Sequence, residues 1–291
     1  MEAESVDGVI PVLKPEGMTS HYVVDEVRKR LGTRKVGHAG TLDPDATGVL
    51  LVGVGRATRF LSYAQQGPKR YRAVAKFGST TSTQDASGDV TERRPAEIEA
   101  HDVEVALKEF TGDLQQLPPM VSAVKVGGER LYRKALRGEE VERKPRRVTV
   151  YSLELSSFEG GEEPRAELDV ACSAGTYIRT LVHDLGEHLG CGAHVATLHR
   201  TEAGGFRDEE CIALDDLTSE SLLPLGDAVR DLPVLEVAED AESLVTNGRP
   251  LHNANDWPPE QRVAVLREGR LLAVYKAGTG DLLRADRVVP V

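Results

Sequence analysis

Apolar residues in this chain recur at two spacings, and the switches between them mark out its elements. Val9 to Val12 reads as a short strand. Val23, Val24, Val27 and Leu31 then repeat at helical spacing, which predicts a helix capped by Ser20 and ended at Gly32. The apolar run Val49 to Val54 suits a buried strand, and Thr58 to Gln65 a helix. From Lys69 to Phe77 polar and apolar residues alternate, placing Tyr71, Ala73, Ala75 and Phe77 on one core-directed face of a strand. Further on, the spacing predicts helices over Ile98–Phe110 and Leu131–Leu136, then strands over Arg146–Leu155 and Ala166–Ser173. A helix follows from Gly175, capped by Thr176, with Ile178, Leu181, Leu185 and Leu189 as its buried stripe. After an acidic linker come a helix over Ala238–Thr246, an Asn247-Gly248 turn and strands over Arg262–Arg267, Leu271–Lys276 and Leu282–Val289. Gly269-Arg270 reads as the hairpin turn between the first two of these. The mixture is α+β, with a large domain over 1–230 and a small β-rich one over 231–291.

Composition changes that picture little. The chain has 291 residues, 40% hydrophobic and 29% charged, enough to bury a real core. No apolar run approaches the length of a membrane span, no signal-peptide pattern opens the sequence, and three scattered cysteines make no disulfide framework. A cytoplasmic protein is expected. Charge changes it more. The net charge of −11 argues against a nucleic-acid partner, but its distribution argues the other way. Arg56 to Arg72 holds five bases and no acid, and Lys125 to Arg147 nine bases against four glutamates. Asp208 to Glu242, by contrast, holds twelve acids and one base. A polyanion responds to the field within a Debye length, so the two basic segments matter more to it than the total.

Candidate chemistry gathers between Lys35 and Gly48. Gly37, Gly40 and Gly48 allow positive φ or close approach to a ligand, and Pro44 pushes Asp43 toward an extended conformation. Asp-Pro is equally how an ordinary turn or helix begins, so the dipeptide alone leaves both readings open. Arg179 falls in the first turn of its helix, against the dipole, where a cation calls for an anionic partner. His183, His188, Cys191, His194 and His199 raise a zinc site, but their spacing lacks the tight pairs zinc needs. Residues five apart on a helix diverge by about 140°. Gly53-Val54-Gly55 lacks the rest of a dinucleotide fingerprint, and no phosphate loop occurs.

Gly37-His38-Ala39-Gly40-Thr41-Leu42-Asp43-Pro44 resembles the signature loop of the TruB family of pseudouridine synthases. Lys14 to Ser20, Lys69-Arg70-Tyr71-Arg72, Gly175 to Thr180 and Leu185 to Val195 resemble other motifs of the family, in its order, from residue 9 to about 217. The resemblance implies a pseudouridine synthase fold, a mixed and largely antiparallel sheet flanked by helices. It also implies a basic RNA-gripping insertion at about 117–147 and a PUA-like C-terminal domain. Asp43 becomes the catalytic carboxylate, Arg179 the partner that keeps it ionised, and Tyr71 the ring beneath the target base. His38 would fill the space which the base vacates. Lys14, Lys69, Arg70, Asp85, Leu198, Arg133 and Lys134 complete the expected RNA contacts. Two positions depart from the family: Val121 stands for a tyrosine and Ala174 for a lysine.

The resemblance is to the bacterial branch, whose members act at uridine 55 in the T-arm loop of tRNA. Isomerising uridine to pseudouridine breaks one bond to the ribose and makes another, with no net redox change, so neither cofactor nor metal is expected. The expected partner is the tRNA T-arm stem-loop, with no membrane and a monomeric chain. Two other readings remain: a non-catalytic RNA-binding or tRNA-folding protein with the same grip, and a metal hydrolase built on the histidines.

Overall fold

A computed structural model describes residues 7–120, 125–126, 129–130, 137 and 141–290. The chain begins with β1 (Gly8–Lys14), α1 (Ser20–Leu31), β2 (Val36–Ala39) and β3 (Thr47–Val54). A 3₁₀ turn, Gly55–Arg59, leads into α2 (Leu61–Gln66), so the helix predicted from Thr58 is split at Phe60. Next come β4 (Lys69–Phe77), the hairpin β5 (Ser79–Thr81) and β6 (Val90–Arg93), α3 (Ala100–Leu107) and β7 (Gly112–Gln116). Short strands β8 (Lys125–Val126) and β9 (Glu129–Arg130) pair with each other. The expected helix over 131–136 lies outside the described residues. β10 (Arg146–Glu159), β11 (Arg165–Cys172), α4 (Ile178–His188), β12 (Ala193–Ala203), β13 (Phe206–Arg207) and β14 (Ile212–Ala213) complete the main unit.

Ten strands form one mixed sheet, in the order β14-β1-β3-β12-β4-β11-β10-β7, with β2 on β3 and β13 on β12. Two pairs are parallel, β1 with β14 and β3 with β12; the other pairs are antiparallel. The parallel pair at the centre positions the site. It aligns His199 with Thr47 and Arg200 with Gly48, which brings the loop before β3 against the end of β12. The approach requires glycine: Gly48 has φ of 103°, and a Cβ there would stand 2.2 Å from the Arg200 carbonyl oxygen. Gly37, by contrast, is an ordinary strand residue packed on Leu61.

The apolar periodicities become two cores, one on α4 and α3, the other on α1. Ile178, Leu181, Val182 and Leu185 of α4 pack with Ala73, Ala75 and Phe77 of β4. Val23, Val24 and Val27 of α1 pack with Ile10, Val12, Leu50 and Val52. Both expected helix caps differ. Thr19, not Ser20, caps α1 by accepting the Tyr22 N–H at 3.1 Å, which frees the Ser20 hydroxyl for another task. Tyr177 occupies the cap position of α4 but makes no side-chain capping bond to it, and Thr176 donates instead to the Ser173 carbonyl at 2.9 Å.

The acidic stretch is no free linker. β14 adds to the main sheet beside β1, Leu223 bridges Val9, and Ala228 and Val229 are buried. The chain then forms β15 (Val234–Glu236), α5 (Glu239–Thr246), β16 (Leu251–His252), β17 (Arg262–Arg267), β18 (Arg270–Ala277) and β19 (Leu282–Val288). These strands make a second sheet, ordered β15-β17-β18-β19-β16, a β-rich C-terminal domain. Its first hairpin turns at Glu268-Gly269, both at positive φ, and Arg270 already belongs to the strand. Phe60 and Ala64 share one apolar cluster with Val229, Ala264, Leu271 and Val274, so the two sheets are packed together through α2. The Tyr63 hydroxyl seals the rim by donating to Asp286 at 3.0 Å.

Candidate active site

Asp43 lies in the loop between β2 and β3, and both of its neighbours are clamped. The buried Ser20 hydroxyl accepts the Leu42 N–H at 2.9 Å and bonds the Leu42 carbonyl at 3.0 Å. Lys14, fully buried, donates its ammonium protons to the carbonyls of Pro15 (2.8 Å), Met18 (2.6 Å) and Pro44 (2.8 Å). The Asp43 carbonyl accepts the Ala46 N–H at 3.2 Å, closing a turn around Pro44. The ordinary role of Asp-Pro and the special one coincide here. The segment Lys14 to Ser20 thus fixes the backbone on each side of the aspartate, and only its side chain is left to reach out.

It reaches Arg179. The guanidinium, whose side chain is 5% exposed, places Nε 3.0 Å from Asp43 Oδ2 and Nη1 3.2 Å from Asp85 Oδ2, and donates to the Thr83 carbonyl at 2.9 Å. A cation at the second residue of α4 is offset by two carboxylates and a carbonyl, which is the partner its unfavourable place on the helix demanded. Asp85 is itself tied down, accepting from Thr83 Oγ1 at 2.5 Å and from the Ser87 amide at 3.1 Å. Its place is structural: it pins the loop after β5 to α4.

Expected lowering of the Asp43 pKa by Arg179 is outweighed. Burial pushes the carboxyl above its ordinary value, Arg179 and Lys14 pull it down, and Asp85 and Asp45 push it up. The side chain keeps 40% exposure through the pocket mouth, so protein crowds it on the remaining sides.

The pocket beside Asp43 encloses about 230 Å³, below the ~300 Å³ typical of drug-sized ligands and suited to a single base. Tyr71, Leu198, Ile178 and Arg179 line it, with Gly40 to Asp43 along one wall. Tyr71 on β4 is aligned with Arg200 on β12, and Leu198 is aligned with Ala73. Burial pushes the Tyr71 phenol up, opposed by the positive charge of Arg200. At neutral pH the ring is uncharged.

Sequence reasoning missed Arg200. At 1% exposure, its Nε donates to the Val49 carbonyl at 2.8 Å and its Nη2 to the Gly40 carbonyl at 3.1 Å, so it ties the aspartate loop and β3 to β12. Nothing in the Leu198-His199-Arg200-Thr201 pattern distinguishes such a residue from a surface arginine. His199 beside it bridges Thr47 Oγ1 (2.7 Å) and Asp208 Oδ2 (2.9 Å), a second tie to the start of β3.

Other expected contacts fall elsewhere. Lys69, expected as an RNA contact, is 6% exposed and donates its ammonium protons to the carbonyls of Gln65, Gly67 and Ala64. Lys14 is likewise spent on carbonyls; neither ammonium is offered outward. Burial lowers both amines to about 8. Arg70 is exposed and pairs with Glu202 at 3.4 Å. His38, on β2, lines a neighbouring groove rather than the Asp43 pocket. Arg133 and Lys134 lie outside the described residues. The histidines of the supposed metal cluster go to separate partners, His194 to Ser79, His199 to Thr47 and Asp208, and His188 to Glu109. A larger cavity of about 540 Å³ separates α5 and β18 from Leu225, and three of its four charged lining residues are paired, Arg270 with Glu242 and Arg56 with Asp7.

Known proteins are similar to this chain over most of its length. Residues 28–178 match the TruB family pseudouridylate synthase (N terminal domain), and residues 179–230 the tRNA pseudouridylate synthase B C-terminal domain. Among proteins named tRNA pseudouridine synthase B, that of Symbiobacterium thermophilum is 49% identical over 84% of this chain and 83% of its own length. That of Thermobifida fusca is 45% identical over 91% and 95%. A Cbf5-Nop10-Gar1 complex contains a chain similar to this one at 30% identity, with a TM-score of 0.76 over 97% of this chain and 85% of that one. An H/ACA RNP bound to a substrate RNA containing 2′-deoxyuridine contains another, at 26% identity and 0.75 over 99% and 86%.

Proposed function

The chain belongs to the TruB family and is a pseudouridine synthase; from that premise we propose that it isomerises uridine 55 in the T-arm loop of tRNA, with Asp43 as the catalytic carboxylate. The observation that carries this reading is the Asp43–Arg179 contact of 3.0 Å at the wall of a base-sized pocket, with Tyr71 and Leu198 beside it. A uridine inside a folded loop presents no free path to its glycosidic bond, so it must be everted first. Stacking on Tyr71 compensates for the stacking lost, and Leu198 closes the pocket around the ring. The carboxylate then acts at the bond between ribose and N1. The base turns, C5 bonds to the ribose carbon that N1 left, C5 loses a proton and N1 gains one, and composition is unchanged. Arg179 aims the carboxylate and favours its charged form; Arg200 and Lys14 hold the loop that carries it.

Residues 1–230 form the catalytic domain in this reading, and residues 231–291 the PUA-like one. The substrate assignment draws on the names of the relatives at 41–49% identity. The test is chemical mapping of pseudouridine in a T-arm stem-loop treated with wild type and with Asp43→Asn. Wild type is expected to convert the one uridine and the variant to bind the RNA without converting it. Conversion by Asp43→Asn at the wild-type rate would remove Asp43 from the mechanism.

A further inference from the structure

Beside the Asp43 pocket, on the far side of Gln65, runs an open groove of about 470 Å³ walled by β2 and α2. Gln65 lines both spaces, so they meet at that side chain. The groove is lined by Arg34, Lys35, His38, Thr58 and Ser62 among others, and none of its lining residues is a carboxylate.

Five bases stand between Arg28 and Lys35, and their pairing is uneven. Arg28 meets Asp25 at 2.8 Å, Lys29 meets Glu26 at 3.9 Å and Arg30 meets Asp215 at 3.3 Å. Arg34 and Lys35, both exposed, have no carboxylate partner among the described residues, and they are the two that line the groove. In a chain of net charge −11, two adjacent cations left uncompensated on one wall set a local field that the total conceals. Their backbone is held firmly. The Lys35 carbonyl accepts the Gly55 N–H at 2.7 Å, and Arg28 donates to the Val36 carbonyl at 2.9 Å, so both side chains project from a fixed strand edge.

We propose that this groove binds the sugar-phosphate backbone of the nucleotides adjoining the everted uridine, with Arg34 and Lys35 each meeting a phosphate and the Ser62 hydroxyl available to the same strand. The inference rests on the reading of the Asp43 pocket as the uridine site. With the base in that pocket, the strand leaving it across Gln65 passes directly over the groove. Phosphate contacts of this kind position a nucleic acid without reading its sequence. The site therefore governs how the loop is seated while the base is out, and His38 lines the same groove.

The test is the salt dependence of binding of a T-arm stem-loop, measured with Arg34→Gln, Lys35→Gln and the double variant, each in the Asp43→Asn background so that no turnover intervenes. Lys29→Gln, a base of the same helix–strand segment that is already paired, serves as control. Each groove variant is expected to weaken binding about three- to tenfold at ~0.1 M salt, and to lower the slope of log K against log salt by about 0.7–0.9. The double variant is expected to lower it by about twice that, and Lys29→Gln to leave it unchanged. An unchanged slope in the double variant, with thermal melting at the parent temperature, overturns the groove assignment. Failure of the underlying reading looks different: wild type would leave the T-arm uridine unconverted, or the Asp43→Asn parent would not bind the stem-loop.

Discussion

The Asp43 pocket and the neighbouring groove share a side chain yet handle charge in opposite ways. In the pocket every ion is answered: Arg179 by two carboxylates, and Lys14 and Lys69 by carbonyls. In the groove Arg34 and Lys35 are left for a partner from outside. A buried ion without a partner costs several kcal/mol, whereas an exposed one costs almost nothing, so chemistry that needs a fixed carboxylate must compensate internally and a grip need not. One region spends its charge on geometry, the other on attraction. This difference predicts that pocket variants lose rate while groove variants lose affinity.

The largest expected effect is from Asp43→Asn, which keeps the shape of the side chain and removes its charge. Its rate is expected to fall by about 10⁴-fold or more, while Kd for the T-arm stem-loop changes little. Single-turnover assays with saturating enzyme separate the two quantities. A comparable loss in affinity would erase the division of labour between pocket and groove.

Next is Arg179→Lys. A lysine ammonium cannot span Asp43, Asp85 and the Thr83 carbonyl in the flat arrangement that the guanidinium does. The carboxylate loses its aim, and misplacement of this kind is expected to cost about 10²-fold in rate. The lost charge-assisted bonds are expected to lower stability by about 1–3 kcal/mol, read from urea denaturation. Full activity in this variant would show that Asp43 needs charge compensation alone, with no fixed direction.

How far this division can be seen without coordinates depends on where each partner comes from. The Asp43–Arg179 pair was legible, because a glycine-rich loop and a cation at the wrong end of a helix each carry a local signal, and the family resemblance joins them. Lys14, Ser20, Lys69 and Arg200 were not. A lysine before a turn reads as a surface residue, and one of the three carbonyls that satisfy the buried Lys14 ammonium, that of Pro44, arrives from thirty residues away. Ser20 stands where a cap is expected, and Thr19 takes that task, so the hydroxyl that clamps Leu42 is hidden behind a rule of local sequence. The acidic stretch after Leu214 misleads in the same way, because its buried alanine and valine are outnumbered by solvent-facing acids. Charged groups satisfied by backbone carbonyls, near in sequence for Lys69 and distant for Arg200, leave no periodicity to read.

A smaller effect, and one that separates function from folding, comes from pH. Asp43 must be ionised to act, and burial lifts its pKa, so kcat/KM is expected to fall about tenfold per unit below an inflection above the ordinary carboxylate range. Lys14 and Lys69 supply an alkaline limb near 8, where each gives up a proton that holds a carbonyl. The stability sign is opposite on that side. With folded values near 8 against the ordinary 10.5, the folded lysines release protons before the unfolded ones do, so their contribution to stability rises with pH through that window. Activity falling above pH 8 while the melting temperature holds therefore reports the pocket coming loose, not the domain unfolding. A melting temperature that falls in step would assign the alkaline limb to global unfolding instead.

The smallest effect sharpens the contrast within a single loop. Asp45 lies two residues from Asp43, carries the same group, and is exposed with no cation within ion-pair distance among the described residues. Its reach into the site is indirect: it heads the charges that hold the Lys14 ammonium up against burial. Asp45→Asn is accordingly expected to keep the rate at pH 7 within about twofold, as is usual for a solvent-screened charge. The same variant is expected to move the alkaline limb to lower pH, because Lys14 loses part of its support. A rate profile from pH 6 to 9 for both proteins tests the two statements together. A tenfold loss at neutral pH would mean that the loop needs both carboxylates, and that the clamps on Leu42 and Pro44 do not by themselves single out Asp43.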